Sequence, residues 1–385
     1  TNALGLTGSE GEVLRGVLLG HSQKDIAESR GRSLDTIKSQ SKSILRKAGC
    51  SRMTDLAHLC TSISYVIGLS EKAAQDGAIN EQWITPRQNM HTMERPNGRT
   101  LAWYEYGDPD GRPVLYFHGF FQGPFFLDSL KRKFLEAGLR VIAPSRPSFG
   151  YTSAADSKTS YPAMAQEDVL ALVGAVAPQG ELLVIASHGG SNHAYRAVDA
   201  LGERVKAMVM IGARVPMTRE HLAHMQQRAR TISAACRHAP SVMKLIVTLG
   251  IKTYHERGIK AFLQNEYAPA IIDRADIAYP DRFLKMSEGM FHLTQQGGDA
   301  FVQDGRAQMS NWSSTYKRVS VPQYWIHGRH CHVMGAHLLE KYVAKTGGNI
   351  TIIEAAGFNI LYQQPDAVME TIIEAANLLG GPKRD

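Results

Sequence analysis

Apolar residues recur along the chain with two different periods, and the change of period divides the chain into two regions. In residues 6–60 they recur at helical spacing and are interrupted by Gly20 and Gly31, which predicts four short helices joined by tight turns. From Leu101 onward, short apolar runs alternate with helical stretches. This alternation predicts a mostly parallel sheet with helices on both faces. The predicted strands lie at 113–117, 140–144, 181–185, 206–211, 321–326 and 350–354.

The third predicted helix, which begins after Ser33, has one apolar side and one polar, basic side. Lysine and arginine neutralise DNA phosphates, and amide or amine groups reach base edges. A short helix and a glycine-containing turn precede this helix, as is typical of a helix that enters the major groove. A solvated helix face is the other interpretation of the charges. The candidate DNA-binding residues are Lys24, Ser33, Thr36, Lys38, Gln40, Lys42, Arg46 and Lys47.

Residues 6–56 resemble the LuxR-type helix-turn-helix of transcription regulators. The segment differs from that family at Arg30 and Gln40, and it precedes the larger region, whereas the family usually carries it at the C-terminus. The resemblance implies that the chain binds double-stranded DNA. The matching positions are Leu6, Thr7, Glu10, Val13, Leu14, Gly20, Ser22, Lys24, Ile26, Ala27, Ser33, Thr36, Ile37, Lys38, Ile44, Leu45, Lys47 and Gly49.

The resemblance also implies a division of the chain and an assembly. We predict a DNA-binding domain at 1–67, a linker at 68–97 and a ligand-sensing domain at 98–382. The fourth predicted helix, about 51–67, carries apolar residues at helical spacing. In the family this helix commonly pairs two subunits, which implies a homodimer. Packing within the module is the other explanation of the apolar stripe.

Four stretches of the larger region resemble the α/β-hydrolase fold. Residues 116–120 resemble the strand that ends in the oxyanion turn, and residues 143–153 resemble the loop after the next strand. Residues 184–190 resemble the nucleophile elbow, and residues 357–365 resemble the stretch that supplies the catalytic histidine. The predicted fold class is therefore α/β, an α/β-hydrolase fold with a helical cap at about 215–315, preceded by a small all-α LuxR-type helix-turn-helix domain.

The elbow sequence favours His188 over Ser187 at the nucleophile position. An elbow needs small residues two before and two after the nucleophile, because a strand turns there abruptly into a helix. Ala186 and Gly190 satisfy this requirement for His188. If Ser187 held the position, Ile185 would occupy the first small site. The resemblance therefore places a histidine where the family has its catalytic serine.

The other two triad positions are also altered. Cys331 stands where the family has its carboxylate, and Phe358 stands where it has its catalytic histidine. A phenyl ring cannot accept the proton that the triad must transfer. The resemblance therefore implies that the large domain is not an enzyme.

A transcription regulator that senses a small-molecule signal is the function that these observations predict, and a quorum-sensing autoinducer such as an acyl lactone is the candidate signal. The backbone amides expected at Phe120 and Gly189 would hold a ligand carbonyl. The other explanation is that the altered residues only fill the space of an inactive site. The candidate ligand-binding residues are Phe120, Phe121, Ser187, His188, Gly189, His330, Cys331, His332 and Phe358.

A hydrolase with rearranged catalytic groups, coupled to DNA binding, is the alternative prediction. Ser187 with His330 or His332 is one such arrangement, and a Cys331 nucleophile is another. Histidines near the predicted strand ends supply several imidazoles: His118, His188, His193, His330 and His332. A metal site at His330 and His332 is weaker, because no carboxylate lies nearby in the sequence. We expect no metal and no cofactor.

The composition predicts a cytoplasmic protein and argues against a membrane partner. The net charge of +7 permits nucleic-acid binding without requiring it. The four cysteines are scattered, without a CxxC pair, which predicts reduced thiols in a cytoplasmic protein. No apolar run approaches the roughly 18 residues that a membrane span needs.

Overall fold

The computed structural model describes residues 6–48, 52–53, 56, 86–155, 159–217, 232–233, 235–237, 240–345 and 348–380. Contacts divide the chain into two compact units, residues 1–80 with 227–258 and residues 81–226 with 259–385. The cap predicted at 215–315 is thus divided between the two units. The predicted dimer helix, 51–67, lies almost entirely outside the described residues, so the dimer stays a prediction.

Three helices form the described N-terminal part: α1 (Gly8–Leu18), α2 (Gln23–Ser29) and α3 (Leu34–Ala48). Thr7 and Glu10 form a capping box at the start of α1, and Ser22 and Asp25 form a second one at α2. Each box satisfies backbone N–H groups that a helix start leaves without partners. Most of the apolar positions that the helical period predicted are buried, namely Val13, Leu14, Ile26, Ala27, Ile37 and Ile44, whereas Val17 and Leu45 are half-buried and Leu18 is exposed.

Glu10 also anchors the end of α3. Its carboxylate lies 2.6 Å from the Lys47 ammonium and accepts a hydrogen bond from the Thr7 amide at 2.7 Å. The Lys47 and Thr7 hydrogen bonds lower the pKa of Glu10 from 4.5 to about 2. Lys47 therefore contributes to the module's own packing, and its role in DNA binding stays a prediction.

The second unit contains an eight-stranded sheet whose order is β1-β2-β4-β3-β5-β6-β7-β8. The β1–β2 and β2–β4 pairs are antiparallel, and all other pairs are parallel. The order reverses at β3, and in open α/β sheets ligands bind at the carboxyl ends of strands beside such a reversal. The strands are β1 (Met90–Arg95), β2 (Arg99–Gly107), β3 (Arg112–Phe117), β4 (Leu139–Pro144), β5 (Leu182–Ser187), β6 (Val205–Ile211), β7 (Gln323–Gly328) and β8 (Asn349–Ile353).

Strand β1 corrects the predicted linker, which extended to residue 97. Met90–Arg95 forms an edge strand with mostly exposed or half-buried side chains, so it lacks the apolar run that marks the other strands. Strand β5 shows the opposite pattern, since all six of its residues are buried, as a central parallel strand requires.

Helices cover the sheet and form the described part of the cap. Among the described residues, no helix is long and apolar enough to cross a membrane. The helices of the second unit are α4 (Asp128–Glu136), α5 (Tyr161–Val176), α6 (Ser191–Leu201), α8 (Ile259–Glu266), α9 (Ile271–Ala275), α10 (Pro280–Thr294), α11 (Asp299–Met309), α12 (Ser313–Arg318), α13 (Ala336–Ala344), α14 (Ile360–Gln363) and α15 (Pro365–Ala376), whereas α7 (Pro240–Arg257) belongs to the first unit.

A buried ionic cluster fixes cap helix α11 to the loop after β4. The fully buried Asp304 carboxylate lies 2.8 Å from the Arg146 guanidinium and 2.6 Å from Nε2 of His193. Arg146 also donates to the carbonyl oxygen of His118 at 2.6 Å. Removing one partner of such a buried pair leaves an uncompensated charge, which typically costs about 3–5 kcal/mol. The cluster therefore holds α11 over the ends of β3 and β4.

We predict that acid selectively weakens the N-terminal helices through Glu10. The folded state lowers the pKa of Glu10, so its stabilisation is complete above about pH 4.5 and is lost as the pH falls towards 2. Hydrogen exchange of α1 and α3 amides, measured between pH 5 and pH 3, should therefore accelerate less steeply with acid in Glu10→Gln than in the wild type, after correction for intrinsic exchange.

The matched control is Glu12→Gln. The Glu12 carboxylate pairs with Arg30, but its side chain is 67% exposed, and an exposed pair contributes little. Equal acid dependence in the wild type and Glu10→Gln would contradict the role of Glu10.

Candidate functional site

The turn after β5 has the geometry of a nucleophile elbow, and His188 stands at its tip. His188 has φ = 48°, in the left-handed region that non-glycine residues rarely adopt. A Cβ atom at Gly190 would overlap the carbonyl oxygen of Phe117, so only glycine fits there. Ser187 keeps an extended backbone. The strained position is thus His188, in the register that the small residues indicated, and backbone strain of this kind concentrates at functional sites.

The His188 imidazole is fixed on several sides. Its Nδ1 lies 3.0 Å from the carbonyl oxygen of Gly212, and its ring stacks on Phe358 with centroids 3.9 Å apart. The Nε2 atom is buried and has no hydrogen-bond partner within the described part of the chain. Burial, together with the positive charge of Arg214, lowers the pKa of His188 to about 3. The imidazole is therefore neutral at physiological pH.

Ser187 faces away from this site. Its hydroxyl lies 2.9 Å from that of Tyr116 and accepts a hydrogen bond from the Gly119 amide at 3.2 Å. The side chain is completely buried beneath the elbow. The predictions of Ser187 as a ligand contact and as an alternative nucleophile are therefore corrected, because its hydroxyl belongs to the packing between β3 and β5.

The loop after β7 separates its three candidate residues. Cys331 is buried, and burial raises the pKa of its thiol to about 11, so the thiolate is absent at neutral pH. The side chain of His330 is exposed, which corrects its prediction as a ligand contact. His332 is half-buried, and its ring lies 5.3 Å from the Phe358 ring, measured between centroids. Phe358 therefore contacts both His188 and His332.

A buried carboxylate from the cap pairs with His332. Oδ2 of Asp273, on α9, lies 3.3 Å from Nδ1 of His332. The other oxygen, Oδ1, accepts hydrogen bonds from the Asn359 amide at 2.8 Å and from Nε2 of Gln363 at 3.1 Å. Because the carboxylate accepts, Nδ1 of His332 donates, and its Nε2 remains available as a base. The same type of carboxylate–imidazole pair occurs in catalytic triads.

Sequence reasoning missed Asp273 because it searched for acids only after strands. Asp273 lies in a cap helix, directly after Ile271 and Ile272, and is fully buried. The available signal is an acidic residue directly after two isoleucines in a helix, since a buried charge is rare unless it is paired. Asp276 shares the hydrogen-bond network, since Nε2 of Gln363 donates to it at 2.7 Å.

Aromatic side chains form another part of the site. Phe120 stacks on Phe301 of α11 with centroids 5.0 Å apart, and it also lies beside Phe149 and Phe121. A Cβ atom at Gly189 would meet the end of the Gln308 side chain, which would have to move. The site thus combines an aromatic surface with two imidazoles. Within the described ranges, no three histidine, cysteine or acidic side chains form a group that could hold a metal.

The candidate DNA-binding residues lie on or near the exposed face of α3. Lys38, Lys42 and Arg46 are exposed there, spaced four residues apart. Lys24 is exposed on α2, at 4.0 Å from Glu28. The Ser33 hydroxyl accepts a hydrogen bond from the Thr36 amide at 3.1 Å and so caps the helix start. Thr36 is exposed and Gln40 is half-buried.

Solved structures with the same fold belong to enzymes. A bromoperoxidase from Bacillus anthracis has a TM-score of 0.55 at 14% identity, and the match covers 75% of this chain and 99% of the other. A carboxylesterase of the thaumarchaeon Nitrososphaera gargenis has a TM-score of 0.56 at 15% identity, with 74% and 99% covered. An epoxide hydrolase variant from Vigna radiata has a TM-score of 0.54 at 18% identity, with 75% and 98% covered.

These neighbours overturn one prediction made from the sequence. The altered triad positions had indicated a domain that is not an enzyme. That prediction is wrong, because solved structures that share the fold include esterases, epoxide hydrolases and a bromoperoxidase.

The family follows from the sequence itself. A comparison with curated proteins gives no match. The family model described as alpha/beta hydrolase fold matches residues 112–365, which include the elbow, the oxyanion turn and the loops that follow β7 and β8. The chain therefore belongs to the α/β-hydrolase fold family.

Proposed function

We propose that the chain is a DNA-binding regulator whose large domain hydrolyses a small ester or lactone. The observation that carries the proposal is the pair formed by the buried Asp273 carboxylate and the half-buried His332 ring beside the elbow. A carboxylate–imidazole pair is what ester hydrolysis needs to move a proton. The esterases among the structural neighbours support this class of reaction.

The reaction follows from the orientation of His332. Asp273 holds Nδ1–H, so Nε2 takes a proton from water as the water oxygen attacks the ester carbonyl. The carboxylate stabilises the resulting imidazolium. The amides of Phe120 and Gly189 are the expected donors to the oxyanion that forms. The imidazolium then returns the proton to the departing alcohol oxygen, which restores the neutral pair.

The other candidate groups suit this role less well. His188 has a pKa of about 3 and is too weak a base to accept a proton from water. Cys331 remains a protonated thiol, and the Ser187 hydroxyl is engaged with Tyr116 and Gly119. His332 is the one candidate of the predicted set that has both a carboxylate partner and partial exposure.

A lactone fits both domains. A lactone is a cyclic ester, so its ring opens by the same proton transfers. The stacked Phe120 and Phe301 rings supply apolar contact for an acyl chain. The LuxR-type resemblance of residues 6–56 supports a signal molecule as the substrate. We therefore propose an acyl lactone signal, whose hydrolysis ends its effect on the regulator.

The exposed face of α3 supports the DNA-binding part of the proposal. Lys38, Lys42 and Arg46 lie on one face and follow the short capped helix α2. Their ammonium and guanidinium groups match the spacing of a helix that crosses a phosphate-lined groove. Lys47 pairs with Glu10, so its contribution to this set stays a prediction.

We predict that His332→Gln lowers kcat/KM for an acyl lactone or a 4-nitrophenyl ester by about 10²–10⁴-fold, the usual contribution of a general base. For the lactone, pH-stat titration of the acid released measures the rate of ring opening. For the ester, nitrophenolate release measures the rate. The matched control is His330→Gln, because His330 lies two residues away with an exposed side chain. Equal rates in the wild type and both variants would refute the assignment of the base.

We predict that Lys42→Ala weakens DNA binding and lowers the slope of log K against log salt by about one unit, the value for one lost phosphate contact. Titration of labelled duplex at several salt concentrations measures both quantities. Lys345→Ala, an exposed lysine of the large domain, removes the same charge and should leave the slope unchanged. Identical slopes for Lys42→Ala and the wild type would contradict the placement of α3 in the DNA groove.

A further inference from the structure

We infer that His188 is a specificity-determining residue that selects substrates with an O–H or N–H donor beside the ester carbonyl. The ring accepts this hydrogen bond at Nε2. The substrate class is thus narrowed to α-hydroxy or α-amido esters and lactones. The inference rests on the proposed function for its reaction, but its recognition step can be measured separately by binding.

The hydrogen-bond partner of the ring fixes its tautomer. Nδ1 of His188 lies 3.0 Å from the Gly212 carbonyl, and a carbonyl oxygen can only accept. Nδ1 therefore carries the proton of the neutral imidazole, and Nε2 carries a lone pair. Nε2 can only accept a hydrogen bond, and the partner that completes it must be a donor.

The surrounding backbone is shaped to hold the ring in this place. A Cβ atom at Gly212 would lie 2.6 Å from Cε1 of His188, and one at Gly119 would lie 3.1 Å from Cδ2. Gly212 also has φ = 53°, which disfavours any other residue. The Phe358 ring closes one face by stacking. The imidazole is therefore held by two glycines and an aromatic ring, and it cannot easily turn to find another partner.

The His188 side chain is only 2% exposed, so Nε2 is a buried acceptor. Within the described ranges it has no hydrogen-bond partner. Native proteins leave few buried polar atoms unpaired, and each exception calls for an explanation such as an absent ligand or water. The low pKa of His188 keeps this acceptor unprotonated over the physiological range. A substrate donor explains the unpaired atom and the retained elbow strain together.

The location of His188 defines where the donor lies on the substrate. The residue at the tip of the elbow faces the scissile carbonyl in this fold, and the amides that hold the oxyanion flank it. An imidazole is longer than a serine side chain, so in the proposed binding mode the carbonyl group lies to the side of the ring and a neighbouring substituent meets Nε2. The donor is therefore one or two atoms from the carbonyl, as in an α-hydroxyl or an α-amide N–H.

The size of the effect follows from the cost of leaving an acceptor unpaired. A substrate without the donor buries Nε2 against an apolar or accepting atom and forfeits this hydrogen bond. We expect a preference of roughly 10- to 100-fold for the donor-bearing substrate, in kcat/KM and in affinity.

The experiment compares matched pairs of compounds on the full-length protein. The substrates are 4-nitrophenyl 2-hydroxypropanoate and 4-nitrophenyl 2-methoxypropanoate, with rates divided by their rates of hydroxide hydrolysis. The ligands are 2-hydroxyhexanamide and 2-methoxyhexanamide, which resist hydrolysis, with affinity measured by calorimetry. The wild type should prefer the hydroxy member of each pair by roughly 10- to 100-fold.

Two variants assign the preference to Nε2. His188→Phe keeps a ring to stack on Phe358 but has no acceptor, so the preference should fall to near unity. His188→Gln has an amide oxygen that can accept, so part of the preference should return. Near-UV circular dichroism checks that both variants are folded.

The outcomes separate this inference from the proposed function. A preference in binding that His188→Phe abolishes supports the inference even if no ester is hydrolysed, in which case the proposed hydrolysis fails alone. Turnover of both esters without a preference overturns the inference and leaves the hydrolase intact. A preference that survives in folded His188→Phe also overturns it, because another residue then accepts the bond.

Discussion

A single buried carboxylate, that of Asp273, holds the site together. It accepts hydrogen bonds from the Asn359 amide, the Gln363 side chain and the His332 ring, and it is fully buried. His332 and Asn359 lie in the loops that follow β7 and β8 and Gln363 ends the short helix α14, whereas Asp273 belongs to the cap. A buried charge is tolerated only with such partners, so the cap, both loops and the base are constrained together. The orientation of His332, and with it the proposed proton transfer, depends on this carboxylate.

The elbow imposes the second constraint, and it retains its strain although the residue has changed. His188 keeps the left-handed conformation, and the glycines at 190 and 212 leave room for the backbone and the ring. Only the chemistry of the side chain differs from that of a hydroxyl nucleophile: a neutral imidazole with one free acceptor. The proposed proton transfer and the proposed substrate selection thus belong to two different histidines, both in contact with Phe358.

The sequence was sufficient for most of the sheet and for the elbow. Strands β3 to β7 were predictable because central parallel strands are apolar runs. Strand β8 lies at an edge and has no buried residue, but its isoleucines still form an apolar run. The opposite edge strand, β1, has mostly polar, exposed or half-buried side chains and was assigned to a linker. The elbow register was predictable because steric limits at Ala186 and Gly190 depend on local sequence alone. The triad positions were misleading, because only the residue at each expected position was considered. His188, Cys331 and Phe358 at these positions gave the wrong conclusion that the domain is not an enzyme.

The burial and the ion pairs of the charged groups in the cap could not be predicted from the sequence. Asp273 and Asp304 are both fully buried, and their partners lie far away in the sequence: His332 for the first, Arg146 and His193 for the second. Periodicity locates the helices that carry them but not the loops that they meet. Their signal was present only as single acidic residues on otherwise buried faces, such as Asp304 beside Ala300, Ala307 and Gln308.

The central claim is that Asp273 acts on the reaction through His332. A double-mutant cycle on kcat/KM, with His332→Gln, Asp273→Asn and the combined variant, measures this dependence most directly. Residues that act as one unit lose their effect together, so the account predicts that the combined variant is about as slow as His332→Gln alone. Losses that multiply in the combined variant would show that the two residues contribute independently and would contradict the account.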